Sequence, residues 1–79
     1  MNKELIINLK EYIILNQQHI IDYTEELHDF MKFLSEDENE EIMKHRILDF
    51  KKNIENKKIY IYNKEIINTL NIFIKDILK

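Results

Sequence analysis

The segment Glu25-Glu26-Leu27-His28 sets a carboxylate and an imidazole three positions apart. This Glu-x-x-His spacing puts two metal ligands on one face of a helix, as in di-iron helix bundles. Such a bundle needs a second motif of the kind and further inward-facing glutamates. The only other candidate here, Glu41 with His45, has the wrong spacing of four. Glu25 and His28 also fall outside the apolar stripe described below, so the pair reads as a solvated helix face and no metal is expected. His19 and Asp22 read as a surface pair one helical turn apart. Nucleophilic chemistry is poorly supplied: the chain has no Cys, one Ser, two Thr and one Arg, too few to assemble a nucleophile with its supporting base. With no Gly there is no phosphate-cradling loop and no dinucleotide-binding turn. The expectation is a non-enzyme with no catalytic residue and no cofactor.

Charge carries more information. Residues 1 to 43 hold three lysines against eleven acids, a balance of −8. Residues 44 to 79 hold nine basic residues against four acids, a balance of +5, and together they make the net −3. The acids gather at Asp22, Glu25, Glu26, Asp29, Glu36, Asp37, Glu40 and Glu41, a local negative field suited to a basic groove on another protein. The competing use of such residues is solubility and helix capping. Lys44, Arg46, Lys51, Lys52, Lys57, Lys58 and Lys64, with Tyr60 and Tyr62 among them, form a rival patch of phosphate-binding cations and stacking rings. Against that rival stand the acidic total and the near absence of Arg, the side chain best suited to base contacts.

These residues must be carried by helices. Gly, Pro, Ala, Val, Cys and Trp are all missing, and sheets and tight turns lean on Gly, Pro and Val. Counting from Ile6 in alternating steps of three and four meets Leu9, Ile13, Asn16, Ile20, Tyr23, Leu27, Phe30 and Leu34, the spacing that keeps a seam on one side of a helix. Helix 1 is therefore expected over about 4–34. Ser35 with Glu38 has the form of a capping box, so helix 2 is expected over about 36–57, with Met43, Ile47, Phe50 and Ile54 inward. Residues 59–62, Ile-Tyr-Ile-Tyr, read as extended or as part of a helical stripe. The expectation is a break near 57–63, then helix 3 over about 64–78 capped by Asn63; the alternative is one helix from 36 to 78. The fold class is all-α, an antiparallel helical hairpin or three-helix bundle in one domain spanning 1–79.

Ile7, Ile14 and Ile21 form a second apolar line on helix 1, and a wide stripe asks for two neighbours. A homodimer, dimerising into a larger helix bundle, is expected through Ile7, Ile14 and Ile21. Asn16 in the seam either pairs with its own copy to set register or marks a helix irregularity. No charged leader precedes an apolar run, so the chain is expected in the cytoplasm, off the membrane. The excess of Ile, Asn and Lys suits a low-GC bacterium, its phages or its mobile elements. The function expected from all this is a small regulator or inhibitor acting by protein–protein binding through the acidic surface. The alternatives are a dimeric nucleic-acid-binding protein using Lys51, Lys52, Lys57, Lys58, Tyr60 and Tyr62, or a purely structural dimerisation module.

Overall fold

The computed structural model describes residues 3–19, 24–34 and 39–79. Among these, four α-helices account for nearly all the regular structure and no strand is formed: α1 Lys3–Leu15, α2 Glu25–Leu34, α3 Glu40–Glu55 and α4 Lys64–Ile77. A single 3-10 turn, Gln17–His19, follows α1. Each helix packs on the helices before and after it in cyclic order, α1 on α2, α2 on α3, α3 on α4 and α4 on α1.

The expected helix 1 over 4–34 is corrected to two helices. Asn16 ends α1: its side-chain amide donates to the Tyr12 carbonyl at 2.8 Å, and its backbone N–H is shared between Tyr12 and Ile13. The side chain thus competes for the carbonyl that helix propagation would use. Length explains why the break is favoured. A straight helix over 5–34 would run ~45 Å, against a longest molecular dimension of 31 Å. Bending lets both halves bury the same seam, and Ile6, Leu9, Ile13, Leu27, Phe30 and Leu34 all lie in the core. Thr24 starts α2, its hydroxyl accepting the Leu27 N–H at 3.2 Å.

Helix α3 begins later than the expected residue 36. Asn39 is extended and its side chain accepts the Ile42 N–H at 3.0 Å, which makes it the N-cap. The Ser35–Glu38 capping box lies outside the described residues. At the far end Lys58 N–H reaches the Asn53 carbonyl at 2.9 Å and Lys57 N–H reaches Ile54 at 3.2 Å. That pair of bonds is a Schellman closure. Lys57 adopts φ 60 to make it, a left-handed conformation usually left to Gly. Residues 59–62 then alternate, Ile59 and Ile61 buried, Tyr60 and Tyr62 exposed, as an extended segment does. The Tyr62 N–H donates to the His19 carbonyl at 3.2 Å, tying this segment to the 3-10 turn. Asn63 caps α4 by accepting from Glu65 N–H at 2.8 Å.

No described helix is long and apolar enough to cross a membrane.

Candidate functional site

The α2–α3 face brings charged and aromatic side chains of two helices together. On α2, Glu26, Asp29, Phe30 and Phe33 fall at steps of three, one and three; on α3, Arg46, Asp49, Phe50 and Asn53 do the same. Such spacing sets each group on one helix face, and the two faces meet around a cavity of about 160 Å³ lined by these eight residues.

Its floor is aromatic. The Phe30 and Phe50 rings stack with centroids 4.0 Å apart and planes 1° from parallel, and both are buried. Beside them the Arg46 guanidinium carbon lies 3.4 Å from the centre of the Phe33 ring. A cation over a ring face is attracted by the ring quadrupole, by about 0.5–1 kcal/mol where solvent reaches it. The rim is acidic, with Glu26, Asp29 and Asp49 around one arginine. Chemically, carboxylates around a cavity can draw a positive charge and rings can cover an alkyl stem or guanidinium plane; here the cation on the ring is the chain's own Arg46.

Only part of the acidic set expected from the sequence comes together here. Glu26 and Asp29 line the cavity. Glu25 points to solvent, and Glu40 and Glu41 stand exposed in the first turn of α3. Asp22, Glu36 and Asp37 lie outside the described residues, as does Ile21. Asp49 is absent from the expected set, because it sits in the basic half of the chain. Its signal is the position itself, one residue before a seam phenylalanine and three after the only arginine. Arg46, grouped with the basic patch by sequence proximity, is instead held on Phe33 in the acidic groove.

The other candidates are scattered. Lys51, Lys52, Lys57 and Lys58 are exposed, as are Tyr60 and Tyr62, whose rings meet edge-on at 5.8 Å. Ile7 and Ile14 stand on the outside of α1, 55% and 48% exposed. Asn16 is half-buried at the end of that helix. Glu25 and His28 are both exposed on α2, and among the described residues no three His, Asp or Glu side chains converge as a metal site requires. No protein family, no curated sequence and no solved structure matches this chain.

Proposed function

We propose that this protein is a non-enzymatic regulator or inhibitor that binds another protein, seating lysine or arginine side chains of its target in the acidic α2–α3 groove. The observation that carries this reading is the groove's composition, three carboxylates over a phenylalanine floor with a guanidinium already resting on one ring. A groove of this kind competes well for a basic surface, including one that otherwise holds nucleic acid. The composition of the chain suits a phage or mobile element of a low-GC bacterium, where small inhibitors of host proteins are at home. Lack of Cys fits a cytoplasmic setting. Self-association through the outer face of α1 belongs to the same reading.

The test is capture from a lysate of the native host, with mass spectrometry, using the wild type and a Glu26→Gln, Asp29→Asn, Asp49→Asn variant. The wild type should retain a partner at low salt and release it as salt rises. The variant should lose that partner while keeping its helical circular dichroism. Equal capture by both would set the groove aside.

A second reading has its own observation. Tyr62 is 68% exposed and sits with Tyr60 between Lys57–Lys58 and Lys64, the arrangement of a stacking platform for single-stranded nucleic acid. Passage over immobilised DNA and RNA decides it. The lead reading expects no retention even at low salt. Tight binding that falls steeply with salt, and disappears when Lys51, Lys52, Lys57 and Lys58 are changed to Glu, would reverse the order of the two.

A further inference from the structure

Helix α1 carries its core residues Ile6, Leu9 and Ile13 on one side. At about 100° per residue, Ile7 and Ile14 form a second line a little over a quarter turn away, exposed and one heptad apart. Lys3 and Lys10 run along one side of that line, and Glu4 and Glu11 along the other, with the same seven-residue spacing. We infer that this face is a contact between two copies of the chain whose α1 helices run parallel. The inference rests on the self-association named above and adds its orientation.

Symmetry supplies the argument. A two-fold axis along the helices places each flank of one copy against the opposite flank of the other. Lys3 and Lys10 then meet Glu4 and Glu11 of the second copy, twice over, while Ile7 meets Ile7 and Ile14 meets Ile14. An axis across the helices, which makes them antiparallel, places each flank against itself. Lysines then face lysines and glutamates face glutamates. Flanking charges of this kind select orientation in helix pairs. Lys3, Glu4 and Lys10 also have contacts within their own chain, and the intermolecular pairs add to these or replace them. Two isoleucines make a small patch beside the ~800 Å² per partner of a standard interface, so the pair is weak and fills only at high protein concentration.

The chain has no Cys, so cysteine variants report contacts without background. Ile7→Cys alone and Ile14→Cys alone, oxidised at high protein concentration, should each give covalent dimers. Both should form faster than with Leu48→Cys, an exposed position on α3. In wild-type background, Lys10→Glu should weaken dimerisation by about threefold to tenfold, and adding Glu11→Lys should restore it. Circular dichroism confirms that each variant is folded. Cross-linking only in a mixture of Ile7→Cys with Ile14→Cys would overturn the parallel orientation and leave self-association standing. Sedimentation equilibrium showing wild-type monomer at millimolar protein, with cross-linking no faster than at Leu48→Cys, would overturn both.

Discussion

Two regions hold the same residue types, cations beside aromatic rings, in opposite states. In the α2–α3 groove the rings of Phe30 and Phe50 are buried face to face and Arg46 is laid on Phe33. In the 56–63 segment Tyr60 and Tyr62 project into solvent beside the exposed Lys57 and Lys58. Composition alone therefore does not hold a cation against a ring. In the groove the Arg46 side chain is held over the Phe33 ring with carboxylates around it. Lysines on a loop keep their side-chain freedom, so any ligand of that patch must order them.

Removing a ring from each region probes this contrast most directly. Phe50→Ala should destabilise by about 3–5 kcal/mol, comparable to the whole stability of so small a chain, and leave little folded protein. Tyr62→Ala should stay within about 0.5 kcal/mol. Urea unfolding of both reads the contrast, and similar losses would mean that the tyrosine segment is packed far more tightly than its exposure indicates.

Strain separates the regions next. Lys57 closes α3 in the left-handed region, where a Cβ costs roughly 1–2 kcal/mol. Lys57→Gly should therefore stabilise by ~1 kcal/mol after its extra unfolded-state freedom is counted. A raised midpoint of thermal unfolding checks it. No gain would show that the loop relaxes the strain elsewhere, and would bring the two regions closer in rigidity.

The helix start at Thr24 belongs to the groove side. Thr24→Ala removes the acceptor of the Leu27 N–H and should cost ~1 kcal/mol by urea unfolding, since this cap is what starts α2 in the phase that points Phe30 and Phe33 at α3.

The smallest expected effect sets one cation against another. Arg46→Lys trades a planar guanidinium for a compact ammonium and should cost about 0.5–1 kcal/mol. Lys58→Met, in the exposed segment, should change stability by less than ~0.5 kcal/mol. Double-mutant cycles pairing Arg46→Lys with Phe33→Leu isolate the ring contact; a coupling of zero would remove Arg46 from the groove's architecture.

Much of the core is legible in the chain's periodicity. The three-and-four spacing marks Ile6, Leu9, Ile13, Leu27, Phe30, Leu34, Met43, Ile47 and Phe50, all buried, and also Asn16 and Ile54, which are only half-buried. The same spacing conceals the break after Leu15, because a seam keeps its period whether one helix or two bent helices carry it. Asn16-Gln17-Gln18-His19 is the local sign, and one Asn side chain takes the carbonyl of Tyr12. Alternation in residues 59–62 favours an extended segment over a continued helix, and burial of Ile59 and Ile61 follows that pattern.

Which residues avoid water is thus a property of the sequence, because hydrophobic burial follows periodicity and periodicity is local. The cap at Asn63 is of the same kind, since a short polar side chain before a helix satisfies that helix's own amides, whereas α3 is capped by Asn39 and starts later than the expected residue 36. Which charged groups meet is a property of the packed molecule alone. Asp49 joins Glu26 and Asp29, and Arg46 leaves the lysines for Phe33, because the register in which the consecutive helices α2 and α3 meet is set by packing and not by any local pattern. Charge acts through space, and here the neighbours in space are not the neighbours in sequence.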